Sequence, residues 1–328
     1  MADKARILVA DDEPHIRRIL QFLLEQEGFE VHLVADGEEA WKAVAGFHPD
    51  LVLLDVMMPK MDGYSVLKII RAGFETSRLP VIMLTAKGED SDKVRGLQGG
   101  ANDYVIKPFN HEELILRVRN LLEATQRERE ANPLTGLPGN RAIEREIQER
   151  LSGQRHFACM YVDVDRFKSF NDQYGYSRGD RAISFLAGVL VGCTQKYGKA
   201  RDFVGHVGGD DFVVVTECEN ARVLARHIIE EFDSGVSGLH DPQDVERGYL
   251  EVESRDGRIR RFPLITLTVA LVAEAQGRYE HPAELSDVMA ELKRFGKIQI
   301  DSAVACERRT ASGATEMVLV GADDTGAD

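Results

Sequence analysis

Asp50–Lys60, DLVLLDVMMPK, is the stretch that decides how the first part of this chain folds. Its run from Leu51 to Leu54 is apolar throughout and ends on Asp55. A strand that is apolar on both faces belongs to a parallel sheet covered on both sides. Working outward, four more short apolar runs recur: RILVA (6–10), EVHLV (30–34), PVIMLTA (80–86) and DYVIK (103–107). Helical patterns lie near His15–Gln26, Glu38–Ala45, Tyr64–Arg71, Ser91–Gly96 and Glu112–Leu122. This alternation predicts a doubly wound, five-stranded α/β domain with its sites at the carboxyl ends of the strands.

That rule gathers particular side chains. Asp11 and Asp12 follow the first strand, Asp55 ends the third, Thr85 falls in the fourth, and Lys107-Pro108 closes the fifth. Three carboxylates at one sheet edge repel one another. A hard divalent cation with oxygen ligands, Mg²⁺ before others, relieves that repulsion. A lysine and a hydroxyl beside it could hold a phosphoryl group. Asp11 and Asp12 alone would serve equally well as caps for a helix starting near Pro14. The five positions together resemble the CheY-like receiver domain of bacterial two-component response regulators, over residues 5 to 122. The resemblance implies a flavodoxin-like sheet and phosphorylation of Asp55 by a cognate histidine kinase. It also implies one Mg²⁺ held by Asp11, Asp12, Asp55 and the Met57 carbonyl, and a switch built from Thr85, Tyr104 and Lys107, with Pro108 cis.

The chain has 328 residues, enough for about two domains. Its formal charge is −14, and neither half is basic, so no domain reads as one that grips nucleic acid through phosphates. The four cysteines form no CxxC pair and read as reduced thiols. The N-terminus turns acidic after one short apolar run, unlike a signal peptide. No apolar stretch is long enough for a membrane span. The expected setting is therefore cytoplasmic, without membrane or nucleic-acid contact. The domains expected are 1–124, a helical linker over 111–131 that continues the last receiver helix, 132–308, and a disordered tail over 309–328 in which MVLV could add an edge strand.

From Asn132 the pattern changes to longer helices and antiparallel strand signals. HFACMYVDVD reads as a strand ending in acids, and FVGHVGGDDFVVV as two strands joined by Gly208-Gly209. The turn then delivers Asp210 and Asp211 beside Asp163, again an oxygen-rich set suited to Mg²⁺, and the glycines let an anionic ligand approach the backbone. A GGDD turn alone is a common hairpin tip. Together with DVDRFKSFNDQYGYSRGD (163–180) and PLTGLPGNR (133–141), it resembles the GGDEF family of diguanylate cyclases over about 132–301. The resemblance implies an α+β domain, a central and mostly antiparallel sheet flanked by helices. It implies condensation of two GTP into cyclic di-GMP across a homodimer, with up to two Mg²⁺ per site. By position, Asp163, Asp210 and Asp211 would bind metal, with Asp210 catalytic. Lys168, Asn171, Asp172, Asp180, Gly208, Gly209, Lys293 and Lys297 would bind nucleotide.

The departures are specific. Asp211 stands where the family has Glu, which shifts a ligand by about one C–C bond. Misplacement of that order costs about 100-fold in rate. His206 and Asn132 stand where the family carries an Arg–Asp pair, and a direct hydrogen bond between them is expected. Tyr176, Ala270 and Lys297-Ile298 also differ from the family pattern. The product-inhibition motif maps onto Lys199 to Asp202, where Lys lacks the arginine fork, so inhibition there should be weak. The alternative to an enzyme is a degenerate domain that binds GTP, cyclic di-GMP or a protein without turnover.

Overall fold

The computed structural model describes residues 4–86, 100–253, 259–309 and 315–320. The helix expected at Ser91–Gly96 lies outside the described residues. The chain divides into two compact units, Met1–Arg129 and Glu130–Asp328.

The first unit contains β1 (Arg6–Ala10), α1 (Pro14–Gln26), β2 (Glu30–Val34), α2 (Gly37–Phe47), β3 (Leu51–Asp55), α3 (Gly63–Ala72), β4 (Val81–Ala86), β5 (Asp103–Lys107) and α4 (His111–Glu130). The five strands are parallel in the order β2-β1-β3-β4-β5. Alternate residues feed two cores. Ile7, Val9, Leu51, Leu53, Ile82 and Leu84 pack with Leu20 and Leu24 of α1 and Leu114 and Val118 of α4. Leu8, Ala10, Val52, Leu54, Val81 and Met83 pack with Ala40 and Val44 of α2 and with Val66, Leu67 and Ile70 of α3. β1, β3 and β4 therefore have no solvated face, which is why they read as unbroken apolar runs.

Helix starts are fixed by short acids. Asp36 accepts the Glu39 N–H at 2.9 Å, and Asp62 accepts the Ser65 N–H at 2.7 Å. At the start of α3 the Gly63 N–H donates to the Val56 carbonyl at 2.9 Å. A Cβ at Gly63 would stand 2.2 Å from the Asp55 carbonyl oxygen. The helix can come this close to the end of β3 only because residue 63 lacks a side chain.

The second unit holds α5 (Asn140–Ser152), β6 (Ala158–Asp165), α6 (Phe167–Tyr174), α7 (Tyr176–Tyr197), β7 (Phe203–Gly208), β8 (Asp211–Thr216), α8 (Cys218–Val236), α9 (Pro242–Arg247), β9 (Tyr249–Glu253), β10 (Ile259–Pro263), β11 (Thr266–Val272), α10 (Pro282–Gly296), β12 (Ala303–Arg309) and β13 (Thr315–Leu319). Its main sheet runs β13-β12-β11-β6-β8-β7 and is antiparallel except for the β11–β12 pair. Met160, Val162 and Val164 face α7 and α8. Cys159 and Tyr161 face the side covered by α5 and α10, and the period of two puts Asp163 on that side as well.

Two expectations are corrected here. Gly208 pairs with Asp211, and a register shift falls between His206 and Gly208. The bulge moves the turn by one residue, so its two central residues are Gly209 and Asp210 rather than Gly208 and Gly209. Asp210 therefore sits in the turn itself. The tail is also not wholly without structure. Thr315–Leu319 pairs antiparallel with Ala305–Arg309, because its apolar run can complete the open edge of β12. Among the described residues no helix is long and apolar enough to cross a membrane.

Gly63→Ala is expected to lower the stability of the first unit by about 1–3 kcal/mol, the cost of overpacking less a small gain in helix propensity. The chain's single tryptophan, Trp41, lies on α2, so the urea midpoint followed by tryptophan fluorescence reports this unit. An unmoved midpoint would mean that the approach of α3 to β3 is not tight.

Candidate functional sites

The first site lies at the carboxyl ends of β1, β3 and β5. Asp11 and Asp55 are buried and Asp12 is exposed, and ligand oxygens of all three lie within 4.8 Å of one another. The Lys107 ammonium lies 2.6 Å from Asp11 Oδ2 and 3.1 Å from Asp55 Oδ2, with Glu13 Oε1 at 3.5 Å. Burial pushes the Asp55 carboxyl up to about 6, and the Asp11 carboxylate adds to the rise against the pull of Lys107. Burial alone would lower Lys107, but Asp11 and Asp55 outweigh it and raise its pKa. Asp11 Oδ2 makes no hydrogen bond of good geometry and meets the lysine as an ion pair.

The remaining expected groups surround this centre. Asp55 is registered with Leu84, so Thr85 follows directly on the neighbouring strand and is buried. Met57 is exposed in the loop after β3. Tyr104 is registered with Met83, packs into the α2–α3 core and has a buried hydroxyl without a hydrogen-bond partner. Burial pushes that phenol up to about 12. The Lys107-Pro108 bond is cis. The sequence reading missed Glu13, whose N–H donates to Asp11 at 2.9 Å, and Arg17, whose guanidinium donates to the Asp11 carbonyl. The DDE run was the signal for the first; nothing local marks the second.

The second site lies where β6 meets the β7–β8 hairpin. Asp163 and Asp211 are direct cross-strand partners, and ligand oxygens of Asp163, Asp210 and Asp211 lie within 4.8 Å of one another. Two lysines of α10 and its C-terminal end close on them. Lys293 Nζ is 2.5 Å from Asp163 and 2.6 Å from Asp211, and Lys297 Nζ is 2.5 Å from the other Asp163 oxygen. Burial raises the Asp163 carboxyl, and its hydrogen bond with Asp211 raises it further. Burial also opposes ionisation of Asp211, but the bond from Asp163 and the Lys293 ammonium prevail and hold it low. The proton of the pair thus rests on Asp163. Burial also raises Asp210.

Both triads offer only carboxylate oxygen, and in each a buried oxygen (Asp11 Oδ2, Asp163 Oδ1) faces an ammonium without a well-formed hydrogen bond. Such donor sets fit a hard divalent cation.

Other expected residues are placed as follows. Lys168, Asp172 and Asp180 are exposed on α6 and α7. Asn171 presents a buried, unpartnered Oδ1 against the backbone of Gly179, where a Cβ would come within 1.9 Å. Gly208 and Gly209 both have positive φ at the turn. The expected direct bond between Asn132 and His206 is not present. Asn132 Oδ1 accepts the Leu134 and Thr135 N–H groups, while His206 Nδ1 meets Thr135 Oγ1 at 2.9 Å and Nε2 meets the Gly209 carbonyl at 3.0 Å. A carbonyl only accepts, so Nε2 carries the proton and Nδ1 accepts from Thr135. Burial lowers the His206 pKa and favours this neutral ring. Thr135 therefore joins the two residues. Asp202 does not reach the acidic cluster: its Oδ2 accepts the Lys199 N–H and the Thr216 hydroxyl, both at 2.9 Å. Asp165, missed from sequence, is buried and accepts from Thr266 and Thr268 at 3.0 and 2.9 Å. The DVD spacing was its signal.

Comparison with known proteins finds a family for each of the two units. A family model described as response regulator receiver domain matches residues 7–119, and one described as diguanylate cyclase, GGDEF domain matches residues 130–253. The transcriptional regulator ycf27 of Cyanophora paradoxa is 52% identical over 124 residues, 38% of this chain and 51% of its own length. The transcriptional regulatory protein SrrA of Staphylococcus aureus is 46% identical over 120 residues, 37% and 48% respectively. The chain spans about half the length of these curated relatives. Among solved structures, a response regulator of Chloroflexus aurantiacus is 40% identical and matches 37% of this chain and 99% of its own, with a TM-score of 0.36. The receiver domain of a Pseudomonas aeruginosa sensor histidine kinase, with a magnesium ion coordinated in its active-site cleft, is 35% identical over 37% of this chain and 99% of its own, with a TM-score of 0.35. Residues 7–119 belong to the response regulator receiver domain family. The chain joins this receiver domain to a domain of the GGDEF, diguanylate cyclase, family.

Mg²⁺ added to chelator-treated protein at pH 6 is expected to release protons, and at pH 8 far fewer. Asp55 and Asp163 keep protons near pH 6 only while metal-free, since their pKa values are raised in the fold. By the same sign, what Asp55 contributes to metal-free stability is greatest below about pH 4 and declines as pH rises through about 6. Titration calorimetry in buffers of different ionisation enthalpy measures the release. Equal release at both pH values would mean that neither carboxyl is raised.

Proposed function

We propose that Asp55 takes a phosphoryl group from a histidine kinase and that this event controls condensation of two GTP molecules to cyclic di-GMP by the output domain. The observation that carries the second half is the Asp163–Asp210–Asp211 cluster at a hairpin turn, bracketed by Lys293 and Lys297.

In the receiver, an Asp55 oxygen attacks phosphorus as the P–N bond to the kinase histidine breaks. Lys107, already shared between Asp11 and Asp55, would pair with the incoming oxygens. The step places about −1.5 to −2 charge at the sheet edge. Thr85 would donate to a phosphoryl oxygen, and Tyr104 would shift with it, biasing the surface of β5 and α4.

In the output domain Mg²⁺, when bound, would neutralise the oxygens of the triphosphate. Lys293 and Lys297 carry the positive charge that a triphosphate would share with the carboxylates. The glycine turn leaves room for phosphate beside the backbone. Asn171 and Asp180 would read the guanine edge. Asp210, raised by burial and set in the turn, suits a base for the ribose 3′-hydroxyl. That oxygen attacks the α-phosphorus of the facing GTP, and diphosphate leaves. Each domain holds one GTP, so two chains must face each other, and pairing is itself the control.

The shorter Asp211 favours a second reading, a domain that binds guanosine nucleotides without turning them over. The full chain, incubated with GTP and Mg²⁺ with and without beryllofluoride, separates the two. Cyclic di-GMP is expected chiefly with beryllofluoride. Asp210→Ala should lower the rate by at least about 100-fold, and Asp55→Asn should remove the beryllofluoride effect. GTP bound without product under every condition would select the binding module.

A further inference from the structure

We propose that His206 is a positioning residue of the output site: its Nε2–H, bonded to the Gly209 carbonyl, sets the orientation of Asp210 within the acidic cluster. This rests on the reading of that cluster as a site for metal and nucleotide.

Of the three acids, Asp163 and Asp211 lie on paired strands, where the ladder fixes them, whereas Asp210 lies in the turn. The turn cannot orient it alone. Gly208 and Gly209 have φ of +146° and +61°, and glycine enters or leaves such regions at little cost. The Gly209 carbonyl and the nitrogen and Cα of Asp210 share one peptide plane. Whatever holds that carbonyl therefore holds the plane from which the Asp210 side chain departs. His206 Nε2 lies 3.0 Å from it.

His206 itself has little freedom. It is buried on β7 opposite Phe212, and its ring stacks on that of Phe212 with centroids 4.2 Å apart and planes at 12°. Its backbone N–H donates to the Pro138 carbonyl at 2.8 Å. On the other edge of the ring, Nδ1 meets Thr135 Oγ1 at 2.9 Å. That hydroxyl also accepts the Leu137 N–H at 3.4 Å, which leaves its own proton for Nδ1. The bonds then run in one direction, from the Leu137 N–H through the Thr135 hydroxyl and the imidazole to the Gly209 carbonyl. The other tautomer would set an Nε2 lone pair against the carbonyl oxygen and break the last link. A ring locked at both edges holds the glycine turn as a rigid support holds a ligand.

Two substitutions separate the donor from the bulk of the ring. In His206→Gln the side-chain amide stands at the ε position and can still donate to the Gly209 carbonyl. In His206→Asn it stands at the δ position, where it meets Thr135 and falls short of Gly209. Mn²⁺ binding to the full chain is followed by electron paramagnetic resonance, with the receiver cluster as internal control. His206→Asn is expected to weaken one class of site about tenfold and leave the other alone, while His206→Gln stays close to wild type. Turnover should follow the same split: kcat about tenfold lower in His206→Asn, KM for GTP little changed, and kcat restored in His206→Gln. Equal Mn²⁺ isotherms for all three proteins overturn the proposal. An equal loss in both variants also overturns it, because bulk and not the donor would then matter. Thr135→Val, which keeps the ring but frees one edge, should weaken the same class of site, and Thr135→Ser should restore it; equal isotherms for these two overturn the proposal as well. If wild type makes no cyclic di-GMP while the His206→Asn and His206→Gln isotherms differ, the cyclase reading falls and the role of His206 stands.

Discussion

Both halves of this protein depend on the same electrostatic conflict, carboxylates crowded near strand ends around at least one buried acid. Alone, such groups would take up protons. Each cluster instead has lysine within ion-pair distance, Lys107 in the receiver and Lys293 with Lys297 in the output domain. The balance is incomplete, because Asp55 and Asp163 remain raised. A buried acid only partly neutralised is a site with residual affinity for cations. The fold supplies this strain through its strands: hydrophobic packing on both faces of β3, and on both sides of β6, carries Asp55 and Asp163 below the surface.

Legibility followed from the same packing. β1, β3 and β4 are apolar on both faces, so unbroken apolar runs located them, and the acids were read by their position after those runs. Helix starts were less sharp. α3 begins at Gly63, where the reason is a close approach to the Asp55 carbonyl that no one-dimensional pattern records. Sequence placed the hairpin correctly but its turn one residue early, because the bulge before Gly208 is a property of pairing. Lys293 lies 82 residues from Asp211 in sequence; only a family pattern, not spacing, could bring it to the site.

The Asn132–His206 correction shows how polar substitutions are absorbed. An ion pair replaced by two nearly neutral groups leaves donors and acceptors that still need partners in a buried place. Here Thr135 supplies them, donating its N–H to Asn132 Oδ1 and its hydroxyl to His206 Nδ1. His206 also stacks on Phe212 at 4.2 Å and fastens to the Gly209 carbonyl. The turn that carries Asp210 is thus tied to its own strand and to the Asn132–Leu137 loop by neutral bonds. Neutral bonds of this kind are insensitive to salt, unlike an exposed ion pair.

The two clusters differ in what their cations can do. Lys107 ends a strand, and its ammonium is shared by Asp11 and Asp55 at the ends of neighbouring strands, so under the proposed phosphorylation the added charge would be accommodated by neighbours such as Thr85 and Tyr104. Lys293 and Lys297 come from α10 and its end, outside the sheet that carries the acids. A helix packed on a sheet can slide slightly while the strands stay fixed. The receiver's geometry therefore suits a switch, in which added charge is transmitted into the fold. The output geometry suits a binding site, in which the ammoniums come from a helix and the carboxylates from the sheet.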